Sequence, residues 1–164
     1  MIVTERAMKM RPRNFEFTEL VSVLEKEHED VKAVMTELSG RITVDGDSDI
    51  IDRLADLREV LLQHIVDEES SVLRVLINAY GREGSREALE VFREHVDILK
   101  LLGELEAGVT RDRGASAEIR SSLDTLMSEH FRKEDETIFP HAIRTHLSAS
   151  AIDLHAGGKS AVKH

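Results

Sequence analysis

The stretch Glu129-His130-Phe131-Arg132-Lys133-Glu134, which leads on to Phe139 and Pro140, decides how this chain is read. A histidine and a glutamate four residues apart project from one face of an α-helix, which turns about 100° per residue. Ile119, Leu123, Leu126 and Ile138 extend that face in both directions. The polar pair therefore sits where the helical period reserves a place for the core. His64 with Glu68 repeats the arrangement among Leu54, Leu57, Leu61, Val72 and Val75. His28 takes the same place in the stripe Leu20, Leu24, Val31, Met35 and Leu38, and His95 in the stripe Ala88, Phe92, Leu99 and Leu102.

The four histidines are separated by similar gaps of 36, 31 and 35 residues. The midpoints of those gaps fall on or near Gly46, Gly81 and Gly114, amid other helix breakers such as Gly40, Asp45, Asp47, Gly84, Ser85, Gly108 and Asp112. If each cluster is a turn between antiparallel helices, successive histidines return to the same depth. The expected fold is all-α, an up-down-up-down four-helix bundle with a short helical extension after Pro140. Its helices are expected from about Thr18 to Gly40, from the Asp47-Ser48-Asp49 caps to Gly81, from a Ser85 cap to Gly108, and from near Ser116 to Pro140.

One domain accounts for 164 residues, and a chain of that size buries roughly 68–70% of its unfolded surface. Residues 1–14 read as a flexible tail, 15–156 as the bundle, and 157–164 as a disordered tail. With no cysteine in the chain, any metal must be held by nitrogen and oxygen. The net charge of −10 argues against nucleic acid and anionic membrane as partners. No apolar run reaches the ~20 residues of a transmembrane helix. A cytoplasmic protein is expected.

A buried polar ring without a partner costs on the order of 1–3 kcal/mol, and a buried carboxylate costs more. Six such groups at one depth call for something that satisfies them together. A pair of cations does so, since neutral imidazole offers a lone pair and a carboxylate can bridge. Mixed nitrogen and oxygen ligation suits iron, manganese or zinc. A ferritin-type site needs two ExxH pairs, whereas only Glu25 and His28 have that spacing, and the zinc-protease HExxH is absent.

The order H…HxxxE…H…HxxxE, with the 129–134 stretch in the last helix, resembles the hemerythrin-like (HHE cation-binding) domains over about residues 16–147. The resemblance implies two iron ions, bridged by an oxo or hydroxo group, ahead of manganese or zinc. It implies His28, His64, His95 and His130 as terminal ligands and Glu68 and Glu134 as bridges. The oxygen carriers of the family have a further histidine one turn after the third and an Asp five residues after the last; here Leu99 and Asp135 stand at those places. On a regular helix i+4 lies about 40° from the histidine and i+5 about 140°, which favours Glu134 over Asp135 and Glu68 over Glu69. Glu69 and Asp135 are expected to point away from the histidine face. With one imidazole fewer, the implied function is binding or sensing of a small ligand (O2, NO or peroxide) or of iron itself. The alternative is a di-iron enzyme acting on peroxide, nitric oxide or ferrous iron. His141 is expected at the surface, and Tyr80 at the end of the second helix.

Overall fold

A computed structural model describes residues 10–41 and 49–157. Among these the chain is all-helical and forms a four-helix bundle. The first bundle helix is α1 (Phe17–Arg41). The second is a composite of α2 (Asp49–Asp67), a π-helical turn over Glu68–Val72, and α3 (Leu73–Gly84). The third is α4 (Arg86–Gly108). The fourth is again composite: α5 (Arg113–Lys133), a π-helical turn over Glu134–Ile138, and α6 (Phe139–Gly157). Contacts run from α1 to α2, from α2 to α4, from α4 to α5 and from α5 back to α1, which closes the bundle. No helix among the described residues is long and apolar enough to cross a membrane.

The termini follow local chemistry. Gly81 takes φ 68°, a conformation only glycine adopts cheaply, and it breaks the helical path of α3 three residues before its end. Ser85 precedes α4 as expected, but its hydroxyl donates to the carbonyl of Leu76 at 3.0 Å and does not cap the helix. The fourth helix starts three residues earlier than the sequence suggested. Asp112 accepts from the Ala115 N–H at 3.1 Å, and an Asp cap outcompetes a buried serine. The expected Asp47-Ser48 cap and the Gly46 turn lie outside the described residues, as do residues 158–164.

Both π-turns begin at the glutamate of an HxxxE pair, and both have a packing cause. Twelve residues of α-helix overshoot three turns by about 120°, whereas eleven overshoot by only about 20°. One extra residue looped into a π-turn therefore keeps four positions spaced by four on one stripe. His64, Glu68, Val72 and Leu76 are all buried, and so are His130, Glu134, Ile138 and Ala142. Beyond the first π-turn the buried face accordingly carries Leu73 and Leu76, while Val75, expected inward, is only half-buried. Pro140 does not interrupt the fourth helix. The Phe139 N–H bonds the Glu134 carbonyl five residues back, and the return to four-residue bonding leaves a place for a residue with no N–H. Helix α6 then runs on to Gly157.

The core is divided in two. One apolar cluster contains Met35, Leu38, Leu54, Leu61, Ile98, Leu102, Leu123 and Met127. A second contains Leu20, Leu24, Val72, Leu76, Val91, Ile138, Phe139 and Ala142. Along each bundle helix the histidine lies between a residue of one cluster and a residue of the other. The polar layer thus fills the middle of the bundle, sealed at both ends.

Candidate metal centre

All six predicted residues come together in that layer, and all are buried: His28, His64, Glu68, His95, His130 and Glu134 are at most 2% exposed. They divide into two sets of converging donor atoms. Glu68, His95, His130 and Glu134 form one, and His28, His64 and Glu134 form the other. Glu134 belongs to both. Its Oε2 lies 3.0 Å from His28 Nε2, and its Oε1 lies 2.8 Å from His130 Nε2. Glu68 Oε2 is 3.1 Å from His95 Nε2 and 3.8 Å from His64 Nε2. His28 and His64 face each other with their Nε2 atoms 3.2 Å apart.

The donor atoms thus group the histidines in pairs. His28 goes with His64 and His95 with His130, so each set draws on neighbouring helices.

These residues fit a pair of cations. Both carboxylate oxygens of Glu68 and of Glu134, and Nε2 of His95, are buried without a hydrogen-bond partner among the described residues. Several lie within ion-pair distance of one another, yet they lack the alignment a hydrogen bond needs. Two donors held about 2.1 Å from a common ion at ordinary coordination angles lie about 3.0–3.4 Å apart, which matches the spacings here. A buried, unsatisfied carboxylate is among the costliest groups a core can hold, and here there are two.

Without cations, protons must do the balancing. Burial works against a charge on His95, but the adjacent Glu68 carboxylate outweighs it and raises the imidazole to about 10. Burial likewise pushes the Glu68 carboxyl up, yet His95, with His64 and His130, takes it down to about 2. Glu134 is raised well above the usual carboxylate range by burial and by the charge on Glu68. Two carboxylates sharing a dry site cannot both ionise freely.

The outer nitrogens of the four rings are held just as specifically. His28 Nδ1 donates to Asp135 at 2.8 Å, His64 Nδ1 to Glu27 at 3.0 Å, His95 Nδ1 to Glu69 at 2.8 Å and His130 Nδ1 to Glu94 at 2.7 Å. Each carboxylate comes from the preceding helix in the cycle, so the bonds form a closed ring around the bundle. A carboxylate on Nδ1 fixes a proton there and leaves Nε2 facing inward, where its lone pair is available once the ring is neutral. The rings are further held by stacking: Phe131 lies 4.2 Å from His28 between centroids at 18°, and Phe139 lies 5.4 Å from it.

This ring corrects the expectation that Glu69 and Asp135 point away. The expectation assumed a regular helix, whereas both residues lie inside π-turns. It also considered only the histidine on their own helix, and each reaches one on the next. Glu27 and Glu94 were not singled out at all. The available signal was their position directly before His28 and His95, about 100° around the helix, which is where a side chain meets the neighbouring helix.

Residues 10–16, partly assigned to a flexible tail from the sequence, lie along the bundle. The Arg13 backbone N–H and Nε donate to the buried Asp67 at 2.7 and 2.6 Å, and Nη2 donates to Glu27 at 2.6 Å. His141, His146 and His155 do not join the centre. His146 stacks on Phe17, and His155 bonds the Ala151 carbonyl. Tyr80, about 18 Å along the helix from Glu68, bonds Thr145 and leans on His141.

Residues 5–76 match the model of the family described as the hemerythrin HHE cation binding domain. No curated protein and no solved structure matches the chain. The matched segment carries His28, His64 and Glu68. His95, His130 and Glu134 lie beyond it, and the fold brings them to the same centre.

Proposed function

We propose that this hemerythrin-like, cation-binding chain holds two iron ions in its central polar layer and uses them to bind or sense a small ligand (O2, NO or peroxide) or iron itself. The observation that carries the reading is the sharing of Glu134 between two histidine pairs, with every donor buried. His28 and His64 would serve one ion and His95 and His130 the other. Glu134 would bridge them, and Glu68, whose Oε2 faces both His64 and His95, would be the second bridge. An iron pair would supply open coordination positions and reversible redox chemistry.

The chain's own part is positioning and exclusion. The carboxylate ring holds four lone pairs inward, and the two apolar clusters keep bulk water and large molecules out. Only a small ligand fits a layer sealed in this way. Leu99 offers no donor one turn after His95, which favours open positions over a saturated centre. The setting proposed is cytoplasmic.

Anaerobically iron-loaded protein titrated with NO, O2 and peroxide tests the reading. A stable spectral change with each ion pair, without consumption of excess ligand, is expected. Sustained consumption of peroxide, nitric oxide or ferrous iron would establish the enzymatic alternative. No spectral response to any of the three would overturn the small-ligand reading and leave iron itself as the ligand sensed.

A further inference from the structure

The four outer carboxylates are not equivalent. Glu27 uses one oxygen for His64 Nδ1 and gives the other to Arg13 Nη2, at 3.0 and 2.6 Å. Glu94 repeats this geometry: one oxygen takes His130 Nδ1 at 2.7 Å and the other takes Lys133 Nζ. Glu69 and Asp135 bond only the imidazoles of His95 and His28 and have no cationic side chain on the second oxygen among the described residues. Each histidine pair therefore contains one ring whose carboxylate is clamped by a cation and one whose carboxylate is not.

The two clamps are built from different materials. Lys133 lies on α5 one residue before the second π-turn and reaches across to α4. Arg13 comes from the segment before α1 and joins α1 to α2 through Glu27 and Asp67. Asp67 immediately precedes Glu68, is fully buried, and takes its charge partner from Arg13. One guanidinium thus touches the residue before a bridging glutamate and the carboxylate that orients a ligand histidine. That the same one-oxygen, one-cation arrangement occurs on both sides of Glu134 argues for a common role.

We propose that Arg13 and Lys133 are positioning residues of the centre, each clamping the carboxylate that orients one ligand histidine, His64 or His130, so that each governs the affinity of one of the two cation positions. The inference rests on the two-cation reading above. A free carboxylate can swing to solvent, and its imidazole then loses the contact that fixes its rotation and tautomer. Loss of such outer partners typically weakens metal affinity by about 10–100-fold.

The test is competitive titration of the metal-free full chain with Co(II) or Zn(II) against a chelator, which resolves two successive affinities. The variants are Lys133→Gln, Arg13→Lys and the double Arg13→Lys/Lys133→Gln. Lys133 is partly exposed, so its replacement is expected to leave the fold intact. Arg13→Lys keeps a charge beside Asp67 while giving up the fork that spans two carboxylates, and thermal unfolding of the metal-free variants checks folding. Each single variant is expected to keep one affinity and to lose about 10–100-fold in the other; the double variant loses both, and Lys133→Arg restores the wild-type pattern. Unchanged affinities in both single variants, or equal loss at both positions in each, would overturn the clamp. Binding of fewer than two ions by the wild type would instead overturn the two-cation reading, and the clamp with it.

Discussion

Asp135 Oδ1 lies 2.8 Å from Nδ1 of His28, on the opposite side of the ring from the nitrogen that faces Glu134. Two consecutive residues of the fourth helix thus hold the two ends of one imidazole of the first. The π-turn that begins at Glu134 makes this possible, because it directs two successive side chains toward the same neighbour.

Asp135→Asn is therefore predicted to weaken cation binding by about tenfold without abolishing it. Asparagine can still accept from Nδ1 but carries no charge to strengthen the bond. Glu69→Gln, which meets His95 in the same way, should behave alike. Chelator competition with each variant checks this. Wild-type affinity in both would show the outer carboxylates to be incidental.

The π-turns themselves are testable. Deleting Ser70 from the first removes the extra residue, so that His64 and Leu76 stand eleven residues apart, about 20° from a common face of a regular helix. Leu73 and Leu76 then stay in the second apolar cluster and Glu68 stays four residues after His64, while Glu69 loses the turn that carries it to His95. The predicted outcome is a folded bundle with weakened cation binding. Inserting one alanine after Ser70 instead rotates everything beyond it by about 100°, and is predicted to abolish cation binding and lower the melting temperature by about 10 °C or more, since several buried side chains are displaced at about 2–5 kcal/mol each. Circular dichroism and metal analysis on the same samples decide it. A deletion variant that melts as low as the insertion variant would contradict the packing account.

How much of this was legible in the sequence depends on which residues carry it. The four histidines and the two HxxxE glutamates could be found because each interrupts an apolar stripe at a core position. The helix count followed from the same stripes and the glycines between them. The π-turns were written there too, in the runs 64, 68, 72, 76 and 130, 134, 138, 142, which no regular helix keeps on one face. Read as ordinary helix, they put Val75 inward and Asp135 outward. Glu27, Glu94, Arg13 and Lys133 were not distinguishable from the surface charge of a strongly acidic chain. Their roles exist only between helices, and a one-helix pattern does not contain them.

Acid–base balance in the metal-free protein gives a further prediction. His95 is raised from 6.5 to about 10, so its contribution to stability is full below pH 6.5 and is lost as pH rises toward 10. Glu134, raised above its ordinary 4.5, holds a proton that the unfolded chain releases, so its contribution also declines as pH rises beyond 4.5. Glu68, lowered to about 2, contributes above 4.5 and loses that contribution as pH falls toward 2. Metal-free protein should accordingly melt highest near pH 5 and progressively lower toward pH 9. Bound cations replace the protons, so the rise in melting temperature caused by saturating Zn(II) should grow over the same interval. Melting curves of both forms from pH 5 to 9 check the sign. A metal-induced rise that shrinks as pH increases would contradict the assignment.

The central claim is that six side chains hold two cations with Glu134 shared between them. Its most direct measurement is metal stoichiometry after anaerobic loading with ferrous iron, made on the wild type and on Glu134→Gln side by side. The account predicts about two irons per chain in the wild type. In Glu134→Gln, which keeps the volume but loses the charge and most of the capacity to bridge, it predicts fewer than about one, with the helical content unchanged. Two irons retained in Glu134→Gln, or none in the wild type, would contradict it.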